Sequence, residues 1–238
     1  MNSRTPSSRS PRPARTHRSR SERSARPERP PRPERVSREE RKEATRRAII
    51  DAALELLDER SFSALSLREV TRAANIVPAA FYRHFESMDA LGLVLIDESF
   101  RSLREMLRDG RAGGLDPNRA IASSVEILAD SVAARPEHWR FINRERFSGM
   151  TVLRYAIRTE IRLITSELAT DLARFPGLGG WSTDDLNILA GLYVNSMIVT
   201  AEALEEAPDP EAIADIKDVA VKQLRMISVA VGSWRSTP

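Results

Sequence analysis

The sequence predicts an all-α protein, and three observations carry that expectation. Aromatic residues make up only 5% of the chain. Alanine and leucine are abundant, while long alternating runs of β-branched residues are absent. Apolar side chains recur at three- and four-residue spacing in one segment after another, the period of a helix with one buried face.

At 238 residues and 41% hydrophobic, the chain has enough apolar mass for one good-sized domain, or for one and a small second. It contains no cysteine, which excludes a disulfide framework, thiolate chemistry and a zinc ribbon, and fits a reducing compartment. No apolar run is expected to reach membrane-span length. The basic N-terminus lacks the apolar stretch of a secretory signal, so a cytoplasmic protein with no membrane partner is expected.

The formal charge of +3 conceals an asymmetry. Residues 1–38 hold twelve Arg and three Glu, a charge of +9, which leaves −6 for residues 39–238. The same segment carries seven of the fourteen prolines and many serines. Almost no apolar surface is available there to offset ordering entropy, so a disordered Arg/Pro/Ser-rich arm is expected. Such an arm suits sequence-blind contact with nucleic acid; a variable leader or a misplaced start codon explains it equally well.

From Glu39 to Arg60, Ala48, Ile49, Ala52, Ala53, Leu56 and Leu57 mark one helical face. Arg41, Lys42, Arg46 and Arg47 crowd its start, opposing the helix dipole by a few tenths of a kcal/mol unless a polyanion lies nearby. "SFSAL" then forms a loop that tucks Phe62 and Leu65 inward. Ser66-Leu67-Arg68-Glu69 is a capping box, so the next helix starts at Leu67 and turns Leu67, Val70 and Ala74 to the core. Asn75 tolerates the left-handed conformation that ends helices, and Pro78 suits a first helical position.

The resulting pattern is helix, tight turn, helix. The second helix, Pro78 to Phe85, spans about 12 Å. Phe81 and Phe85, four apart, bury together and leave Pro78, Ala79, Ala80, Tyr82, Arg83 and His84 for the other faces. Small residues followed by hydrogen-bond donors fit a helix seated in a DNA major groove. Alanine methyls approach thymine methyls; Tyr82 and His84 reach phosphates; Arg83 reaches a phosphate or a guanine edge. An ordinary helical hairpin has the same outline, so the flanking sequence decides.

Ser87 caps a helix running from Met88 to about Arg111, closed by the loop "GRAGGLDP". Pro117 opens another, striped by Ile121, Val125, Leu128 and Val132. "ARPEHWRFINRERFSGM" breaks and restarts the chain. A long helix from Thr151 to Phe175 carries Leu153, Ile157, Ile161, Ile164 and Leu168. After "PGLGG", Ser182 or Thr183 caps a helix to about residue 206 striped by Leu186, Leu189, Tyr193, Met197, Ile198 and Leu204. "APDP" leads to the last, 209–232, striped by Ile213, Ile216, Val219, Leu224, Ile227 and Val231. The short link makes these two antiparallel neighbours. Their apolar faces exceed what one core needs, which suits a homodimer as well as packing within the chain.

Residues 41–100, through "TRRAIIDAALELLDERSFSALSLREVTRAANIVPAAFYRHFES" and "MDALGLVLIDE", resemble the DNA-binding domain of TetR-family transcriptional regulators. "SFSALSLREV", "FYRHF", "LGLVLIDES", "FINRERFSG" and "QLRMIS" look more narrowly like its FabR group, repressors of unsaturated fatty acid synthesis. The resemblance implies about nine helices: a three-helix DNA-binding domain over 39–99, then a ligand-binding and dimerisation domain over 100–238. By position it implies DNA contacts from Thr45, Arg46, Ser66, Arg68, Ala80, Tyr82 and His84. It also implies a two-fold dimer on a palindromic operator. Asn75 stands where the family usually has glycine. Met88 stands where many members place a phosphate-binding lysine.

An apolar cavity enclosed between residues 88 and 204 would suit a flexible acyl chain at Met106, Phe141, Met150, Ile157, Tyr193 and Met197, although such residues also serve simply as core. Arg140, Arg144 and Arg146 suit phosphates of a coenzyme A or acyl-carrier headgroup, or a solvated charged face. An acyl thioester effector follows mainly from the resemblance; an efflux or catabolic repressor answering to another small apolar ligand is the alternative. Catalysis is not expected. The three histidines, His17, His84 and His138, form no metal-ligand spacing, "GLGG" lacks a P-loop lysine, and "FSG" lacks a nucleophile-elbow frame, so no metal, cofactor or catalytic group is assigned.

Overall fold

The computed structural model describes residues 37–58, 60–111 and 117–236, without the side chains of residues 102, 105–111, 117 and 118. The arm at residues 1–36 therefore lies outside the described residues, as does the loop 112–116. Among the described residues the chain is all-helical, with nine α-helices and one 3-10 turn and no strand. Residues 37–236 pack as one unit.

Helix α1 (Arg38–Leu56) starts one residue earlier and stops four earlier than the sequence predicts. Ser37 supplies a reciprocal capping box with Glu40, whose carboxylate accepts from the Ser37 amide at 2.6 Å. Glu39 and Glu40 thus occupy the first turn and offset the dipole conflict expected from the arginines behind them. Ile49, Ile50, Ala53, Leu54 and Leu57 are buried, whereas Ala48, expected inside, is exposed. A 3-10 turn at Phe62–Ala64 then drives Phe62 into the core.

Helix α2 (Leu67–Ala73) carries the expected Ser66/Glu69 box. Val70 and Thr71 are fully buried, while Leu67 and Ala74 are half-buried. It ends with Asn75 at φ 54°. The Asn75 amide donates to the Arg72 carbonyl and the Ile76 amide to that of Thr71, the paired bonds of a Schellman stop. Helix α3 follows with Pro78 at its first position but is only Pro78–Phe81, shorter than the expected Pro78–Phe85. Beyond Phe81 the Arg83 and His84 amides reach back three residues, and this tighter winding brings Phe85 round against Phe81, ring centroids 5.5 Å apart.

Helix α4 (Met88–Arg111), begun by a hydrogen bond from the Ala90 amide to the Ser87 hydroxyl, runs about 36 Å and crosses the expected domain boundary without a break. Leu91, Leu95, Ile96 and Phe100 bury along it. Gly92 is required by packing. A Cβ there would lie 2.8 Å from Leu153 Cδ2 and 3.0 Å from Phe62 Cζ.

The body consists of α5 (Pro117–Ala134), α6 (Pro136–Glu145), α7 (Thr151–Leu172), α8 (Thr183–Glu205) and α9 (Pro210–Val231). The α5 stripe is buried as expected. Helix α7 stops three residues short of Phe175, and Ser182, rather than Thr183, caps α8. On α9, Val219 is exposed rather than inward. Helix α8 also corrects the expectation that no segment matches a membrane span. With mean hydropathy 1.2 it is long and apolar enough by length and composition, because it presents apolar residues to the body and outward alike.

Candidate nucleic-acid interface and cavity

One end of the molecule gathers α2, α3 and the start of α1. Two buried rings, Phe81 and Phe85, anchor α3, so the residues between and before them face outward. Val77, Pro78, Ala79, Tyr82 and Arg83 are exposed, with Ala80 and His84 half-buried. Tyr82 stacks edge-on against Phe81 at 5.7 Å and leaves most of its surface in solvent. Arg68 is exposed on α2, whereas the Ser66 hydroxyl is engaged with Glu69. Ser66 first, then the Arg60 guanidinium, hold the Glu69 carboxyl down at about 2.

Helix α1 contributes Thr45, whose hydroxyl donates to the Arg41 carbonyl, and Arg46. The Arg46 guanidinium lies 4.6 Å from the Phe85 ring centroid and donates to the His84 carbonyl at 3.2 Å. Burial, then Lys42, Arg46 and Arg83, push the His84 pKa below its ordinary value of 6.5. Its Nδ1 is buried without a hydrogen-bond partner. This face combines a small-residue surface, exposed donors and a ring of cations. Sequence reasoning missed Lys42 as a neighbour of His84, and it missed Val77. The Pro78 signal could have placed Val77 outside, since the residue before a helix-opening proline is held extended.

Behind this end lies an apolar cavity of about 540 Å³ between α4, α5, α6, α7, α8 and α9. Its walls include Phe100, Leu128, Trp139, Ile164, Met197 and Leu224. The charged groups at its wall are paired, Arg146 with Glu202 at 2.7 Å and Arg174 with Asp171 at 3.3 Å, although the Arg146 Nε is buried without a partner. The Tyr193 hydroxyl pairs with Ser228 at 2.6 Å, and burial raises its pKa. Asn143 donates to Glu205 at 2.7 Å, which leaves its carbonyl oxygen for a ligand.

Of the residues assigned to a ligand from sequence, Arg146, Tyr193 and Met197 line this cavity. The Met106 side chain lies outside the described residues. Phe141 and Ile157 instead fill the core beside Phe62, and Met150 packs against it, because α6 and α7 turn those faces toward α1 and the Phe62 turn. Arg140 pairs with Asp58. Arg144 donates to the carbonyls of Leu57 (2.8 Å), Arg60 (2.7 Å) and Asp58 (3.3 Å). Both arginines therefore face the α1–α2 connection rather than the cavity. A separate polar groove of about 410 Å³ lies there between α1 and α6, with Asp51, Glu55 and Glu137 along it.

Opposite the cavity, Ile188, Leu192 and Val199 on α8 and Val219, Met226 and Val229 on α9 are exposed. Their spacing makes two apolar stripes on adjacent antiparallel helices.

Residues 49–93 match the family model for bacterial regulatory proteins of the tetR family. The fold is similar to that of the fatty acid degradation regulator FadR from Bacillus halodurans, with TM-score 0.62 and 15% identity over 81% of this chain and 97% of that one. It is similar also to FadR from Bacillus subtilis, solved in complex with stearoyl-CoA, with TM-score 0.63 and 14% identity over 75% and 96% of the two chains. A third similar structure is a SmeT–triclosan complex, with TM-score 0.61 and 19% identity over 79% and 91%. At these identities the structures establish the fold. Taken with the segment that matches the family model, they show a TetR-like fold whose residues 49–93 resemble the tetR family.

Proposed function

We propose that this regulator is a dimeric repressor that binds a palindromic operator, controls unsaturated fatty acid biosynthesis and answers to an acyl thioester, acyl-CoA or acyl carrier protein. The observation that carries the effector half of this reading is the cavity: about 540 Å³, walled mainly by apolar side chains. Such a site favours an uncharged chain inside and leaves a charged headgroup outside. The stearoyl-CoA bound by the Bacillus subtilis relative supports that class. The likeness to the FabR group rests on the sequence motifs.

In this reading residues 39–99 bind DNA and residues 100–238 bind effector and partner. Thr45, Arg46, Ser66, Arg68, Pro78, Ala79, Ala80, Tyr82, Arg83 and His84 meet the duplex. Burial, then the cations around His84, favour its neutral form, in which an Nε2–H would donate to a phosphate. The exposed α8 and α9 stripes pair with their copies in a four-helix bundle, setting two recognition helices about 34–36 Å apart. The protein acts in the cytoplasm and needs no metal or cofactor.

A second reading keeps the fold and changes the effector to a compact aromatic molecule, as at an efflux or catabolic operon. The aromatic wall of Phe100, Trp139 and Phe175 supports it, as does the triclosan held by SmeT. Fluorescence anisotropy on a selected inverted-repeat duplex separates the two. Palmitoyl-CoA or oleoyl-CoA should shift the apparent Kd by about fivefold or more. A response to triclosan with none to either acyl-CoA would favour the second reading.

A further inference from the structure

We infer that the cavity is polarised and takes an apolar ligand bearing a hydroxyl group, whose proton the Tyr193 oxygen accepts. This rests on the cavity being the effector site, as proposed above, and does not require the effector to be an acyl thioester.

The hydroxyls of Ser124, Tyr193 and Ser228 lie at the cavity wall. A hydroxyl has one proton to donate and two lone pairs with which to accept. On α5, Ser124 donates to the Ala120 carbonyl one turn back, at 2.8 Å. On α9, Ser228 donates in the same way to the Leu224 carbonyl, at 3.0 Å. The 2.6 Å contact between Tyr193 and Ser228 therefore carries the tyrosine's proton. A directed chain results, from Tyr193 to Ser228 to the Leu224 carbonyl. Tyr193 packs on the cluster of Ile121, Val125, Ala220 and Leu224 that joins α5 to α9, so this side of the cavity accepts hydrogen bonds and has its hydroxyl protons committed. Trp139 likewise gives its indole N–H to the Ser131 hydroxyl at 3.1 Å.

The α6 wall has the opposite character. Asn143 gives one N–H to Glu205 at 2.7 Å and has a second. Arg146 gives a terminal N–H to Glu202 at 2.7 Å, while its Nε–H is buried without a partner. Donors therefore remain at α6, whereas acceptors remain at α5, α8 and α9. Arg174, past the end of α7, is largely exposed and paired with Asp171.

This asymmetry selects the ligand's polar group. An ether or carbonyl oxygen set against Tyr193 would meet lone pair with lone pair, and both would be desolvated with no bond formed. A ligand hydroxyl at the same place donates to the Tyr193 oxygen and lengthens the chain by one member. Burial raises the Tyr193 pKa, so the phenol keeps the proton that it gives to Ser228. Elsewhere Phe100, Leu128, Ile164 and Met197 present only apolar surface, so the body of the ligand is apolar and its hydroxyl sets its direction. An analogue without that proton leaves the buried oxygen unpaired, the kind of loss by which polar sites discriminate.

The test is isothermal titration calorimetry on the full chain with two matched pairs of probes. One pair is triclosan and its O-methyl ether, which keeps the oxygen and loses the proton. The other is ricinoleoyl-CoA and oleoyl-CoA, which differ by one hydroxyl. In at least one pair the hydroxyl-bearing member should bind about fivefold to tenfold more tightly. Tyr193→Phe should bring the two members within about twofold of each other, whereas a purely structural loss would weaken both alike. Ser228→Ala keeps the tyrosine and frees its proton, so the ether or oleoyl-CoA should gain on its partner; this variant serves if Tyr193→Phe does not fold. Equal binding within both pairs would overturn the inference and leave the cavity standing as an effector site. A preference that survives Tyr193→Phe would overturn it too, and binding of none of the four probes would overturn it together with the acyl reading. A preference in the triclosan pair, with neither acyl-CoA bound, would support the hydroxyl acceptor and refute the acyl reading.

Discussion

The start and the middle of α4 lie in different packing regimes. At its start, Leu91, Leu95 and Ile96 join Phe62, Phe81, Phe141 and Leu153 in a core whose side chains are almost wholly excluded from solvent. Farther along, Phe100 and Leu103 face a cavity of about 540 Å³. A close-packed region transmits displacement because it has no slack, whereas a cavity accepts a ligand because its walls have contacts still to gain. The molecule therefore has one close-packed part, beneath α2 and α3, and another with room to be filled.

The largest expected effect tests that contrast directly. Phe62→Ala should destabilise by about 3–5 kcal/mol, since the surrounding helices cannot collapse into the hole. Ile198→Ala, at the cavity wall, should cost less than about 2 kcal/mol, because that side chain has already forgone part of its contact. Urea denaturation of both variants measures the difference; equal losses would mean that the cavity region is as tightly packed as the core.

Legibility in the sequence follows the same division. The helix-turn-helix could be read because its determinants are local. Ser66 and Glu69 are three apart, Asn75 stops α2 through its own backbone, and Pro78 starts α3. What depends on residues far apart in the chain could not be read. Arg144 matches a headgroup ligand by residue type, yet three carbonyls more than eighty positions away take its donors. Phe141 and Ile157 were recognisably apolar, but which apolar region they would join depends on how α6 and α7 rotate. The end of α3 was misjudged because the tighter winding after Phe81 answers to Phe85 packing, not to any stop signal.

A smaller effect sharpens the account of the close-packed end. Gly92→Ala places a methyl 2.8 Å from Leu153 and 3.0 Å from Phe62 and should cost about 1–3 kcal/mol. Calorimetry that found no loss would show that Phe62 and Leu153 have room to move. At the DNA-facing surface, Tyr82→Phe should remove one phosphate hydrogen bond, worth about 0.5–1.5 kcal/mol, across all sequences alike. Ala80→Ser should instead alter sequence preference, read by selection from random DNA.

The smallest effect is a proton. In the free protein burial, and then Lys42, Arg46 and Arg83, hold His84 below 6.5, so it is neutral at neutral pH. In the proposed complex a phosphate against it would offset those cations and raise the value, so DNA binding would take up a fraction of a proton. Affinity should therefore rise as the pH falls from about 8 to about 6, by about threefold to tenfold, and His84→Ala should flatten the slope. The window has a lower bound. Burial depresses His138 as well; its neutral form is the folded one, so stability is present above 6.5 and is lost as the pH falls below it. His138 packs against Ser99, whose hydroxyl already donates to the Leu95 carbonyl, so its Nδ1 must carry the proton. That site is buried between α6 and α4, outside the proposed DNA contacts, so its titration should alter folding rather than operator affinity. Anisotropy at both pH values, with thermal stability followed in parallel, separates the two histidines. A pH slope that survives His84→Ala would place the linked proton elsewhere and remove His84 from the phosphate contacts.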